Sequence, residues 1–125
     1  MAKPGNTGLR RVVNATFYSL AGFRSAWQSE AAFRQECVVI ALLLPVALWL
    51  GRTGVERALL ISTGLLVLVV ELLNTAVEFV VDRVGTDHNE LSGRAKDAGS
   101  AAVFTSIAIA AVVWALIAWE RFGPG

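Results

Sequence analysis

ALLISTGLLVLVVELLNTAVEFVV, Ala58 to Val81 with Asp82 following, is an apolar run long enough to cross a bilayer, yet Glu71, Asn74 and Glu78 interrupt it. About 20 apolar residues suffice to span roughly 30 Å of hydrocarbon. At about 100° per residue, Asn74 lies about 60° from Glu71, while Glu78 and Asp82 each lie within about 20° of it. The four polar groups therefore form one stripe that descends from mid-membrane to one end of the helix. A charged side chain at the bilayer centre costs roughly 2.5 to 3.5 kcal/mol, so such a stripe needs partners.

Two further spans flank this one. The first runs from about Cys37 to Leu50 and contains Pro45, which is tolerated in membrane helices where neighbours satisfy the freed carbonyl and where a kink is expected. The third runs from about Ala98 to Trp119. Ala98, Ala102, Ser106 and Ala110 are spaced four apart along it, a small-residue ridge suited to close helix approach. The segment before the first span is too polar to cross and too long for the charged start of a signal peptide, so it is expected in the mature protein. Within it Leu9, Val13, Phe17, Leu20 and Trp27 recur at helical spacings, with Arg10, Arg11, Asn14, Ser25 and Gln28 on other faces. This pattern predicts an amphipathic helix in the interface plane, with Gly22 as a point of weakness. The expected architecture is all-α: an interfacial helix over about 6–34 and transmembrane helices over about 35–51, 58–81 and 98–119, in a single domain covering 1–125. The short connection from Gly51 to Arg57 makes the first two spans an antiparallel hairpin.

Orientation follows from Lys and Arg. Lys3, Arg10, Arg11, Arg24 and Arg34 precede the first span and Arg83, Arg94 and Lys96 follow the second, whereas the opposite side has only Arg52, Arg57 and Arg121. The amino terminus and second loop are expected to be cytoplasmic, and the carboxyl terminus across the membrane. Trp49, Trp114 and Trp119 then fall near the far interface, where aromatic belts form.

Composition supports this reading. Of 125 residues, 55% are hydrophobic and 17% charged, with a mean hydropathy of +0.59; soluble domains are usually about a quarter charged. A net charge of +1 lacks the basic excess of a nucleic-acid binder. One cysteine, Cys37, excludes an intrachain disulfide framework and a cysteine-based zinc site.

The stripe suggests a division of labour between its carboxylates, which lie about 10 Å apart along the axis. Glu71, deeper in low dielectric, suits a general base, and Glu78 near the cytoplasmic end could hold a hydrated cation. The plain alternative is interhelical hydrogen bonding that only holds helices together, a task Ser, Thr or a lone Asn performs more cheaply. The second cluster is the loop Gly85 to Asp97, GTDHNELSGRAKD, whose acids and bases suit a metal-phosphate ligand but equally suit a solvated loop. His88 has no metal-type neighbours in sequence and reads as a polar loop residue. The third cluster comprises Arg11, Tyr18, Ser19, Glu30, Arg34 and Glu36; Glu30 could complete a cation site or simply pair with Arg34 at i+4. No Walker-type loop, GxGxxG run or kinase catalytic-loop motif is present, so a nucleotide site would be of an unusual kind.

The run from Glu71 to Asp82, ELLNTAVEFVVD, together with EAAFRQE (Glu30 to Glu36) and ELSGRAKDAGSAAV (Glu90 to Val103), resembles the prokaryotic diacylglycerol kinases, in particular their Gram-negative branch. The resemblance covers nearly the whole chain. It implies a small homotrimeric membrane enzyme with active sites shared between chains. The implied reaction transfers the γ-phosphate of ATP, with magnesium, to the hydroxyl of diacylglycerol, giving phosphatidic acid. In that scheme Glu71 is the catalytic base, and Glu30 and Glu78 bind the metal. Nucleotide contacts are implied for Arg11, Tyr18, Glu30, Asn74, Glu78, Asp82, Asp87, His88, Asn89, Lys96 and Asp97. The Asp87-His88-Asn89 order departs from the acidic, aromatic, histidine order usual in the best-known branch. Lipid contacts are implied for Ala15, Ser19, Arg24, Trp27, Ala32, Arg34, Glu36, Trp49, Glu71, Ser100, Trp114 and Trp119. The implied location is the cell inner membrane, multi-pass, with a periplasmic carboxyl terminus and no nucleic-acid partner.

Three alternatives compete. A related Gram-positive branch phosphorylates undecaprenol with a similar signature, although ELSGRAKD favours diacylglycerol. Intramembrane glutamates also suit a small oligomeric proton-coupled transporter, but that would need neither the interfacial helix nor the polar loop. A structural membrane oligomer would lose only stability on neutralisation of the stripe.

Overall fold

The computed structural model describes residues 7–124 as four helices: α1 (Gly8–Ser29), α2 (Ala31–Leu50), α3 (Gly54–Val84) and α4 (Glu90–Phe122). Lys3 and the first residue of the expected interfacial segment lie outside the described residues. The helices α2, α3 and α4 are each long and apolar enough to cross a membrane. Their flanks carry many bare apolar side chains, such as Leu42 at 70%, Phe104 at 76% and Leu73 at 62% exposure. Surfaces of this kind are stable against lipid rather than water.

The turns are built from local chemistry. Thr53 caps α3 by accepting from Glu56 N at 3.1 Å, and Glu56 accepts in turn from Arg52 N at 2.8 Å. Gly51 makes the α2–α3 turn possible: a Cβ there would stand 3.0 Å from Arg57 N and 3.2 Å from the Ala47 carbonyl oxygen. Asn89 caps α4, accepting from Leu91 N at 2.9 Å and Ser92 N at 3.2 Å. Only Gly85–Asn89 separate α3 from α4. The expected loop to Asp97 is thus mostly the first two turns of α4, because a helix leaving the bilayer continues in polar sequence when its cap and backbone bonds allow it. Likewise α1 runs unbroken through Gly22, and α2 through Pro45, beginning at Ala31.

The α3–α4 pair is the principal contact of the fold, and α2 packs along α3. On α3 the buried positions Leu60, Thr63, Val67, Glu71 and Thr75 share one face. On α4 Ser106 and Ile117 are buried, and Gly99, Val103, Ala110 and Val113 are half-buried, whereas Ala98 and Ala102 are exposed. The packed face of α4 therefore departs from the expected four-residue ridge, since a step of four residues drifts about 40° around the helix while alternating steps of three and four hold one face. Ala47, Leu50, Leu60 and Ile117 form a small core near the α2–α3 turn, flanked by Ile61, Val113, Trp114 and Ala118.

Beside this core Arg121 donates to the Leu50 carbonyl at 2.8 Å and to the Trp49 carbonyl, and its guanidinium lies 4.7 Å from the Trp49 ring centroid. It satisfies carbonyls that the end of α2 leaves without helical donors.

Candidate functional site: an intramembrane carboxylate cluster

Toward the opposite end of the bundle lie the polar groups of the α3 stripe. Glu71 is 4% exposed on the packed face of α3. One turn on, Asn74 Nδ2 donates to Glu78 Oε1 at 3.3 Å. Asp82 continues the same face and accepts from Lys96 Nζ of α4 at 2.9 Å. Both partners are about half exposed, so this ion pair ties the helices only weakly.

Glu30 joins the cluster through a break in the helix. It is the one residue between α1 and α2, with extended backbone at φ −121° and ψ 108°. Its amide donates to the Ala26 carbonyl at 2.9 Å, and its own carbonyl accepts from Arg34 N at 3.3 Å. These two bonds span the change of direction. Arg34 stabilises the break by donating to the carbonyls of Trp27 at 2.6 Å and Gln28 at 3.4 Å, two of the acceptors that α1 leaves open. This corrects the i+4 alternative for Glu30: Arg34 turns to the α1 carbonyls, and no Glu30–Arg34 ion pair forms among the described residues. The Glu30 side chain instead meets Glu78, with Glu71 and Asp82 in electrostatic reach. Burial, then the Glu78 carboxyl beside it, holds Glu30 above the ordinary carboxylate range.

Like charges collected in this way favour a cation between them. Among the described residues no three His, Cys, Asp or Glu side chains converge on one point. The donor set is two carboxylates, Glu30 and Glu78, with the Asn74 carboxamide adjacent. This suits an ion that brings most of its ligands with it, as magnesium does on nucleotide phosphates.

Three buried side-chain atoms around the stripe have no hydrogen-bond partner among the described residues: Glu36 Oε2, Asn74 Oδ1 and Thr75 Oγ1. Glu36 and Gln35 form the polar end of an apolar cavity of about 610 Å³ bounded by Leu43, Leu60, Val67, Ile107 and Trp114, with Glu71 close enough to feel the Glu36 charge. A second cavity of about 600 Å³ lies between α1 and α3, lined by Ser19, Gly22, Ser25, Thr75 and Phe79 among others.

Other expected residues stand apart from the stripe. Arg11, Tyr18, Ala15, Ser19, Arg24 and Trp27 lie on exposed parts of α1, where Ser19 Oγ donates to the Ala15 carbonyl at 2.9 Å. Ala32, Asp97 and Ser100 are exposed, as are Asp87 and His88 in the α3–α4 turn. Asn89 is engaged as a helix cap. Trp49 and Trp119 sit at the far end of the bundle, exposed by 59% and 66%. Sequence reasoning missed the anchoring of Arg34, for which no spacing rule gives a signal. The capping by Asn89 was readable from an Asn placed just before a helix-forming run.

Three helices apolar enough to span a bilayer, with a buried carboxylate on the packed face of one and a second brought near by a helix break, define a membrane protein with an acidic cluster. Comparison with known proteins makes the class specific. The sequence pattern of prokaryotic diacylglycerol kinases matches residues 17–118. The chain is 50% identical over 117 residues to a diacylglycerol kinase of Escherichia coli strain K12, covering 94% of this chain and 96% of that one. It is 54% identical over 108 residues to that of Haemophilus influenzae, covering 86% and 92%. Identity to the Pseudomonas aeruginosa diacylglycerol kinase is 52% over 113 residues, covering 90% and 92%. The chain belongs to the prokaryotic diacylglycerol kinase family, and is a lipid kinase; the undecaprenol, transporter and structural-oligomer alternatives are not favoured.

Proposed function

We propose that this chain, one kinase domain over 1–125, phosphorylates the free hydroxyl of diacylglycerol with ATP, giving phosphatidic acid at the cytoplasmic surface of the cell inner membrane. The observation that carries the reading is the burial of Glu71 on the face it shares with Glu78, to which the α1–α2 break brings Glu30. A lipid hydroxyl can approach Glu71 from the bilayer while a nucleotide arrives from water. Glu71 takes the hydroxyl proton. The freed oxygen bonds to the γ-phosphorus as the bond from that phosphorus to the β–γ bridging oxygen breaks, and ADP leaves. Phosphoryl transfer asks chiefly for positioning and charge neutralisation.

Glu30 and Glu78 would hold magnesium carried by ATP, which supplies neutralisation of the phosphate charge. Asn74 aligns Glu78, and Asp82 holds Lys96 toward the phosphates. Arg11, Tyr18, Asp87, His88, Asn89 and Asp97 make the remaining nucleotide contacts. The acceptor lies along α1, the α1–α2 junction and α4, against Ala15, Ser19, Arg24, Trp27, Ala32, Arg34, Glu36, Ser100, Trp114 and Trp119, with Trp49 at the far interface. In this reading α1 is amphipathic and rests in the interface, the amino terminus and the α3–α4 turn are cytoplasmic, the carboxyl terminus is periplasmic, and the enzyme is a homotrimer. The many bare apolar side chains and the exposed positions of the outlying contacts support assembly with other copies.

The test offers the purified enzyme, in mixed micelles with ATP and magnesium, diacylglycerol and undecaprenol in parallel. Preferred phosphorylation of diacylglycerol is expected. Preference for undecaprenol would overturn the acceptor assignment, and reaction of neither alcohol would overturn the kinase reading.

A further inference from the structure

Gly99 lies on the half-buried face of α4 directly against Asn74 of α3. A Cβ at Gly99 would overlap Asn74 Oδ1 and stand 3.2 Å from its Cγ and 3.9 Å from its Cβ. The carboxamide thus occupies the space that any other residue at 99 would fill. In that seat Nδ2 faces Glu78 Oε1 at 3.3 Å, while Oδ1 is buried against the bare glycine with no hydrogen-bond donor among the described residues. A buried carbonyl without a donor costs about 1–3 kcal/mol, so the seat is held by geometry rather than by the satisfaction of Oδ1. Neighbouring glycines differ: at Gly64 a Cβ would meet only the Ile40 side chain at 3.7 Å, an ordinary contact.

We propose that Gly99 is a positioning residue for the kinase reaction, whose missing side chain lets the Asn74 carboxamide lie between α3 and α4 and point its amide at Glu78. Any side chain at 99 rotates the carboxamide out and frees the Glu78 carboxylate from its orienting hydrogen bond. This rests on the assignment of Asn74 and Glu78 to the MgATP site.

The test is a double-mutant cycle of Gly99→Ala and Asn74→Ala, with Gly64→Ala as a size-matched control, reading KM for MgATP and kcat separately. Each single variant at 99 or 74 is expected to raise KM for MgATP about tenfold, the scale of one lost hydrogen bond to a charged group, with kcat less affected. The double variant should match Asn74→Ala alone, and Gly64→Ala should match the native enzyme. Multiplying effects, or an unchanged KM in Gly99→Ala, would overturn the proposal. An unchanged KM in Asn74→Ala would instead overturn the site assignment on which it rests. If Gly99→Ala does not fold, recovery of fold in the double variant, where the overlapping carboxamide is gone, supports the same conclusion. Failure of the double variant to fold would show that Gly99 sets backbone spacing and not Asn74.

Discussion

The two ends of the helical bundle solve opposite problems. At the tryptophan end polar groups are matched: Arg121 donates to the Leu50 carbonyl, Arg52 lies 3.6 Å from Glu56, and apolar side chains close around Ala47, Leu60 and Ile117. At the carboxylate end Glu30, Glu71, Glu78 and Asp82 gather, and among the described residues Lys96 is the one cation paired with them, while Asn74 Oδ1, Glu36 Oε2 and Thr75 Oγ1 are buried without partners. A fold optimised for stability alone would not collect like charges and unpaired acceptors where hydrocarbon begins. Under the proposed function, the tryptophan end holds the bundle together while the carboxylate end is left to be satisfied by substrates.

Substitutions should separate these roles. Apart from loss of the base itself, the largest effect is expected where the metal would sit: Glu78→Gln or Glu30→Gln should weaken MgATP use by about 10- to 100-fold, as for a lost interaction with a charged group. Thermal unfolding in micelles should show no loss of stability in either variant, because each removes a like-charge neighbour. A fall in stability with unchanged KM would mean that these carboxylates are structural. Next, Arg121→Ala should show the opposite profile. It should lose about 1–3 kcal/mol of stability through carbonyls left without a donor, while activity per folded molecule is retained; lost activity at full stability would break the contrast between the ends. The smallest effect is expected at Asn89→Ala, which should cost about 1 kcal/mol as a lost helix cap. Measuring KM for ATP in that variant decides whether Asn89 also meets the nucleotide.

Much of this was legible in the sequence because helix periodicity is rigid. The spacing of Glu71, Asn74, Glu78 and Asp82 fixes a common stripe on any α-helix, and the apolar lengths fix three spans. What could not be read depends on how helices meet. Glu30 lies at a helix break that neither Gly nor Pro marks; the break is held by Arg34 reaching back to α1 carbonyls, a contact across seven residues. The polar stretch Glu90 to Asp97 reads as loop by composition, yet backbone hydrogen bonds carry α4 through it. The seat of Asn74 on Gly99 depends on the register of α3 against α4, which no single-helix pattern encodes.

The central claim is that the carboxylate end is a phosphoryl-transfer site with Glu71 as its base. Its most direct test is ATP- and magnesium-dependent formation of phosphatidic acid in mixed micelles by the native protein and by Glu71→Gln at matched thermal stability. Product is expected from the native enzyme, with a loss of turnover of about 100-fold or more in the variant, the scale of a removed general base. Native-like turnover by folded Glu71→Gln would contradict the claim.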